Sequence, residues 1–111
     1  MNLSETFVTT VAELSAMRRQ DSRLYYEFLR VPAMSAGLYE LAAGATDPQS
    51  PHAEDEVYVI FSGQGQIRIA DQDYPVSAGS VVFVAAGVEH RFHSIEVAMS
   101  ILVFFAPAES N

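Results

Sequence analysis

The chain has 111 residues, of which 50% are apolar and 11% aromatic, enough for one core in a single domain. Fourteen acidic residues against six arginines give a formal charge of −8, which opposes binding to phosphate backbones, so we expect no nucleic-acid partner. The absence of cysteine excludes disulfide scaffolds, zinc ribbons and thiol nucleophiles, and the absence of lysine excludes Schiff-base chemistry.

No segment of the sequence indicates export or membrane insertion. The first residues, Met1–Glu5, lack the cationic start and the long apolar run of a signal peptide. The longest apolar stretches, Val81–Val88 and Val97–Ala108, are too short for a spanning helix. We therefore expect a cytoplasmic protein with no membrane partner.

One segment is predicted to be helical. Thr10 and Glu13 have capping-box spacing just before the apolar residues Leu14 and Met17. This pattern predicts a short helix over residues 11–19, after which the hydrophobic period changes.

The rest of the chain predicts an all-β sandwich or barrel. Short segments rich in aromatic and β-branched residues alternate with turn signals such as Val31-Pro32. Gly63 and Gly65 are predicted to close a strand at Ser62 in a turn with positive φ. The predicted strands are Leu24–Leu29, Ser35–Ala42, Glu56–Ser62, Gln66–Ala70, Tyr74–Val76, Ser80–Val84, Arg91–Ile95 and Met99–Phe105.

A histidine and a glutamate lie at the start of one predicted strand. His52 and Glu56 are separated by four positions, so extended backbone would point both side chains to the same face. Imidazole and carboxylate together suit divalent Fe, Mn, Ni or Zn. This spacing is common by chance, so the pair alone is weak evidence for a metal site.

A wider frame of glycines and histidines surrounds this pair. Over residues 44–94 it resembles, without a gap, the two signature motifs of the cupin superfamily, Gly-x5-His-x-His-x3-Glu-x6-Gly and Gly-x5-Pro-x-Gly-x2-His-x3-Asn. The aligned positions are Gly44, Ser50, His52, Glu56 and Gly63 in the first motif and Gly79, Ala85, Gly87, His90 and Ser94 in the second.

The resemblance implies an all-β jelly-roll β-barrel with one short N-terminal helix. Residues 1–111 would form a single cupin domain, with an N-terminal arm and helix over 1–20 and the barrel over 24–106. It also implies that His90 lies beside the histidine and glutamate of the first motif. These three side chains would hold one divalent transition metal ion, Fe, Mn, Ni or Zn.

Three positions depart from the family pattern. Ser50 replaces the first ligand histidine, Ala85 replaces the proline and Ser94 replaces the asparagine. The change at Ser50 leaves two histidines and one carboxylate, a set that holds metal in non-haem iron oxygenases. The amide oxygen of the adjacent Gln49, or a water, is a candidate extra ligand.

Alternation along the strands predicts which way the side chains near the predicted ligands face. Tyr58 and Phe92 share faces with ligands and are predicted to pack in the core, or to line the pocket if the barrel is open at that end. His93 is predicted to face away, at the surface or at an interface. Glu54 and Asp55 are predicted to be solvated acids at the rim, or one of them to orient a ligand histidine.

Three kinds of function stay open, since a fold does not fix its chemistry. The first is a metal-dependent enzyme, an oxygenase, isomerase or lyase, acting on a small organic molecule. The second is a barrel that binds or senses a small molecule without catalysis. The third is a vestigial cupin that holds no metal.

Apolar outer faces predict a homodimer. Val57–Phe61 and Ile101–Phe105 are apolar on both faces, whereas a monomeric barrel fills its interior from only one. The resemblance implies pairing through such a surface, with an N-terminal arm carrying Phe7 and Val8 across to the partner. The competing interpretation is that the predicted helix over 11–19 covers these strands within one chain.

Overall fold

A computed structural model describes residues 6–48 and 51–110. The described elements are one helix and six strands: α1 (Val11–Asp21), β1 (Tyr25–Val31), β2 (Met34–Leu41), β3 (Asp55–Ile69), β4 (Gln72–Ser77), β5 (Val81–Val84) and β6 (His90–Ala106).

Helix α1 begins at the predicted cap. The Thr10 side chain accepts a hydrogen bond from the backbone N–H of Glu13 over 3.1 Å, which satisfies one of the free donors of the first turn. Ser22 caps the C-terminus of the helix with a left-handed φ of 58°. The predicted helix over 11–19 is confirmed and extends two residues further, to Asp21.

The strands pair antiparallel in the order β1-β2-β6-β3-β4, and β5 pairs with the first half of β3. Strand β6 therefore lies between β2 and β3. The arrangement confirms the all-β jelly-roll with one short helix.

The predicted turn at Ser62-Gly63 is wrong. Strand β3 runs through it, so the two predicted strands over 56–62 and 66–70 are one, and β6 likewise joins the segments over 91–95 and 99–105. Gly63 does have a positive φ of 92°, but the register of β3 against β6 shifts there, and the chain bulges instead of turning. A Cβ at position 63 would lie 2.2 Å from the carbonyl oxygen of Ala98, so only glycine fits.

Two apolar clusters stabilise the barrel, one inside it and one beneath α1. The inner cluster is formed by the inward faces of the strands and includes Tyr58, Ile67, Phe92 and Ile101. The outer cluster comprises the buried residues Leu14, Phe28, Ala36 and Leu38, packed with the partly buried Phe7, Val11, Tyr26, Leu29, Leu102 and Phe104.

Helix α1 therefore covers only part of the outer surface. Leu102 and Phe104 of β6 join the cluster beneath it, and Phe7 packs edge-on against Phe28 of its own chain. Phe61 is exposed on β3, as are Val81 and Phe83 on β5.

Within the described ranges, no helix is long and apolar enough to cross a membrane.

Candidate metal centre

Three side chains from separate parts of the chain converge at one end of the barrel. His52 lies in the segment before β3, Glu56 is the second residue of β3 and His90 is the first of β6. Their ligand atoms all lie within 4.8 Å of one another. The side chains of Glu56 and His90 are each 1% exposed, and that of His52 is 19% exposed.

The segment that carries His52 is tied to the turn that precedes β6. The carbonyl oxygen of His52 accepts a hydrogen bond from the backbone N–H of Gly87 over 2.8 Å. Gly87 has a positive φ of 78°, a conformation that glycine adopts without strain. This bond holds the two cupin-like segments side by side.

The hydrogen bonds of His90 fix its tautomer. Its Nδ1 lies 2.9 Å from the carbonyl oxygen of Val88, which can only accept, so Nδ1 carries the hydrogen. The other nitrogen, Nε2, lies 2.9 Å from the Tyr58 hydroxyl and 3.0 Å from Oε1 of Glu56. The lone pair of a neutral His90 therefore faces the carboxylate.

Glu56 is a buried carboxylate that lacks hydrogen-bond donors. Neither of its oxygens receives an aligned hydrogen bond from the residues that the structure describes. Burying an uncompensated carboxylate is costly, so a positive charge beside Glu56 would stabilise this site. Burial works to lower the pKa of His90, but the Glu56 carboxylate outweighs it and raises that pKa, so one way to supply positive charge is a proton. A divalent metal ion is the other, and the donor set of two imidazoles and one carboxylate fits it.

His52 contacts a second carboxylate. Its Nδ1 lies 3.0 Å from Oε2 of Glu109, and this hydrogen bond raises the pKa of His52. The imidazole packs edge-on against Phe105 with ring centroids 4.8 Å apart, and its ring centroid lies 5.7 Å from that of His90.

A cavity of about 130 Å³ adjoins His52 and Glu56. This space is large enough for several water molecules or for a small organic group. Apart from His52 and Glu56, its lining is aromatic and apolar with one further carboxylate: Tyr25, Tyr39, Val103, Phe105 and Glu109.

The two tyrosines of this cavity differ in their hydrogen bonding. The Tyr39 hydroxyl donates to Asp47 over 2.5 Å, and the other oxygen of Asp47 accepts the backbone N–H of Phe92. The Tyr25 hydroxyl is buried and has no hydrogen-bond partner among the described residues. Burial, and then the carboxylates of Glu109 and others, raises the pKa of Tyr25, so its phenol stays neutral and can donate.

Comparison with known proteins supplies the family. The model of the cupin domain matches residues 37–105, more than half of the chain and including all three clustered side chains. The chain belongs to the cupin family. It is 49% identical over 98 residues to the uncharacterized protein SCO3923 of Streptomyces coelicolor, which covers 88% of this cupin and 93% of that protein.

Solved structures show the same fold at low sequence identity. A Bacillus halodurans protein, BH2720, matches with a TM-score of 0.79 at 12% identity, over 96% of this cupin and 85% of that chain. A cupin 2 conserved barrel domain protein from Rhodopseudomonas palustris matches with a TM-score of 0.68 at 18% identity, over 80% of this cupin and 67% of that chain.

The structure places the other residues singled out in the sequence as follows. Tyr58 and Phe92 are buried, with ring centroids 4.9 Å apart, and the Tyr58 hydroxyl reaches His90. His93 lies at the surface against Asp73, away from the cluster. Gln49 and Ser50 lie outside the described residues.

One of the two acids predicted to be solvated is not. Glu54 is buried, and its Oε2 accepts hydrogen bonds from the backbone N–H and the hydroxyl of Ser110. The prediction is wrong because it ignored the segment after β6, which packs over this residue. Asp55 is exposed and accepts the backbone N–H of Ala86.

Sequence reasoning missed Tyr25, Asp47 and Glu109. None of them belongs to the cupin-like motifs, and each reaches the site from a separate part of the chain. The irregularity in β1 prevents strand alternation from assigning the face of Tyr25, and no sequence signal pairs Glu109 with His52.

Proposed function

We propose that this cupin binds one divalent transition metal ion, Fe, Mn, Ni or Zn, beside a pocket for a small organic molecule. The ligands would be one carboxylate oxygen of Glu56 and the Nε2 atoms of His52 and His90. The observation that supports this proposal most is the buried Glu56 carboxylate facing the lone pair of His90 without a described donor.

The hydrogen bonds around the two histidines support the same ligand atoms. Nδ1 of His90 is engaged by Val88, and Nδ1 of His52 by Glu109, so Nε2 is the nitrogen through which each imidazole would bind a metal ion. Metal-binding histidines usually donate their other N–H to a carbonyl or carboxylate in this way.

The pocket supports a small uncharged ligand. Among the described residues, its lining contains the carboxylates of Glu56 and Glu109 and no arginine, so it disfavours an anionic group that does not reach the metal. The buried Tyr25 hydroxyl offers a donor to a carbonyl or hydroxyl oxygen of the ligand. Tyr39, held by Asp47, and Phe105 supply apolar walls.

A divalent metal bound here would act as a Lewis acid or activate oxygen. Three protein ligands leave coordination positions open, which supports an enzyme of the oxygenase, isomerase or lyase type over a purely structural site. Recognition of the small molecule without turnover is the alternative. Incubating metal-loaded protein with small carbonyl and hydroxyl compounds separates the two, since only the enzyme yields a product.

Metal content tests the proposal. Protein purified without an affinity tag should contain about one equivalent of Fe, Mn, Ni or Zn per chain by elemental analysis. His90→Ala should lose its metal to a chelator during dialysis, because it removes one of three ligands. The matched control is His93→Ala, three residues away and outside the cluster, which should keep the metal. Equal retention by both variants would exclude His90 as a ligand.

A further inference from the structure

The segment after β6 folds back over the metal pocket. Residues 107–110 are held against the β1–β2 hairpin and the segment before β3 by hydrogen bonds that involve backbone groups of the segment. These bonds run from Ala108 N to Pro32 O (3.4 Å), Glu109 N to Ser35 Oγ (2.9 Å), Arg30 Nη2 to Glu109 O (2.6 Å) and Ser110 N to Glu54 Oε2 (3.2 Å).

This anchoring leaves the side chain of Glu109 for a separate contact. Its backbone N–H and carbonyl make the bonds to Ser35 and Arg30, while its carboxylate lies 3.0 Å from Nδ1 of His52. The carboxylate is only 23% exposed and forms part of the pocket wall. The main chain therefore fixes where the segment lies, and the side chain acts on the histidine.

Glu109 contacts Nδ1 of His52 but is not one of the three clustered side chains. The ligand atoms of His52, Glu56 and His90 form one group within 4.8 Å, and Glu109 does not belong to that group. An ionised carboxylate can only accept a hydrogen bond, so Nδ1 of a neutral His52 must carry the hydrogen. The lone pair is then on Nε2, as it is in His90, where the acceptor is the local carbonyl of Val88.

We propose that Glu109 is a positioning residue of the metal site, which holds His52 in the tautomer and orientation that a metal ion needs. The inference rests on the proposed metal binding and adds a residue to it. Neighbouring carboxylates of this kind change metal affinity by about 10- to 100-fold when they are removed.

The first experiment does not need a metal. In metal-free protein at a pH where the imidazoles are neutral, the ¹⁵N NMR shifts of His52 should show the hydrogen on Nδ1. In Glu109→Ala the population should move toward the Nε2–H form, and Glu109→Gln, whose amide oxygen still accepts, should restore Nδ1–H. A wild-type His52 with its hydrogen on Nε2 would overturn the proposal whether or not the protein binds metal.

The second experiment measures Zn²⁺ affinity by competition with a chromophoric chelator. Glu109→Ala should weaken binding by about 10- to 100-fold, and Glu109→Gln by less. The control is Glu54→Gln, which removes a carboxylate that contacts the same segment through Ser110 and not through His52; it should bind within a few-fold of wild type.

The outcomes separate the two proposals. Wild-type affinity in Glu109→Ala, or an equal loss in Glu54→Gln, would overturn the role of Glu109 while leaving the metal site intact. A wild-type protein that does not bind Zn²⁺, Fe, Mn or Ni would overturn the proposed function, and the NMR result would still decide whether Glu109 sets the tautomer of His52.

Discussion

The ring of Tyr25 occupies the space that a side chain at Gly37 would need. A Cβ at position 37 would lie 2.2 Å from Cζ of Tyr25 and 2.4 Å from its hydroxyl oxygen. Gly37 lies on β2, and Tyr25 on β1 pairs with Tyr39, two residues further along the same face of β2. The glycine therefore lets the Tyr25 ring lie across β2 and form a wall of the pocket.

Gly37→Ala should push Tyr25 out of this position. We expect a loss of about 1–3 kcal/mol in the free energy of unfolding, the usual cost of overpacking, measured by urea denaturation. A double-mutant cycle supplies the control: in a Tyr25→Ala background the same change at Gly37 should cost much less, because the ring is gone. Additive effects would show that the two residues do not compete for space.

Glu40 should make the free energy of unfolding depend on pH in the acidic range. Its carboxylate accepts hydrogen bonds from Ser100 (2.6 Å), Arg18 (2.6 Å) and Ser15 (2.8 Å), which joins α1 to β2 and β6. Burial works to raise the pKa of Glu40, but the bonds from Ser100, Arg18 and Ser15 outweigh it and hold that pKa below its usual value of 4.5. The stabilisation is therefore complete above pH 4.5 and is lost as the pH falls through the lower pKa of the folded state.

Glu40→Gln measures this contribution. At neutral pH the variant should be less stable by about 1.5–3 kcal/mol, the worth of hydrogen bonds to a charged group. The difference from wild type should shrink as the pH is lowered below 4.5, because the wild-type carboxylate then also loses its charge. Glu89→Gln, at an exposed position, is the control and should show no such convergence. A gap that stays constant with pH would contradict the assignment.

Ser50→His should tighten metal binding. Position 50 is where the cupin motif has its first ligand histidine, so the change would restore a fourth protein ligand. The measurement is Zn²⁺ affinity against that of wild type, with Ser94→Asn, the other polar departure from the motif, as the control. Unchanged or weaker binding in Ser50→His would show that the backbone before Pro51 has left the geometry of the family.

A homodimer is still expected from the part of the outer surface that α1 leaves bare. On β3 and β5, Val57 pairs with Phe83 and Val59 pairs with Val81. Phe83 and Val81 are exposed in the single chain, and Phe61 lies further along β3. Burying each such side chain against a partner contributes about 1.5–3 kcal/mol. We therefore expect a second copy of this chain to cover the exposed apolar surface of β3 and β5.

Light scattering at micromolar concentration should give twice the chain mass of 12.1 kDa. Phe83→Asp should convert the dimer to a monomer, because it would bury a charge at the interface. The control is Val97→Asp, an exposed apolar residue on β6 that is not part of the β3–β5 pairing. A wild-type mass near 12.1 kDa would exclude the dimer.

Local patterns predicted the elements well, and the motifs predicted the centre of the site. The cap at Thr10 predicted α1, and the resemblance to the cupin motifs implied that His90 would lie near His52 and Glu56. The cap depends on a hydrogen bond between neighbouring residues, and the site depends on motifs with fixed spacing. The first feature could be predicted from a few neighbouring residues, whereas the second rested on a family pattern that spans residues 44–94.

Bulges limited what could be predicted about register. Counting from the pair Val31 and Met34 at the hairpin turn would place Tyr25 opposite Glu40. The irregularity between Glu27 and Leu29 moves it to Tyr39 instead. A one-residue shift exchanges the faces of a strand, so the pocket wall could not be derived from alternation alone.

Long-range contacts of charged residues were the other limit. Glu54 was predicted to be a solvated acid because acidic side chains are rarely buried, and Glu109 was not singled out. Their partners, Ser110 and His52, lie far from them in the sequence and belong to no shared motif. Only the path of the segment after β6 brings these pairs together.

The position of β6 between β2 and β3 constrains the order of events during synthesis. The ribosome makes β2 and β3 first, yet in the sheet they are joined only through β6, the last of the described strands to be made. A nascent chain that has emerged only as far as β5 has a gap where β6 belongs, and it lacks His90 altogether. Barrel closure is therefore expected only after β6 has emerged, and the proposed metal site is complete only once His90 has emerged with it.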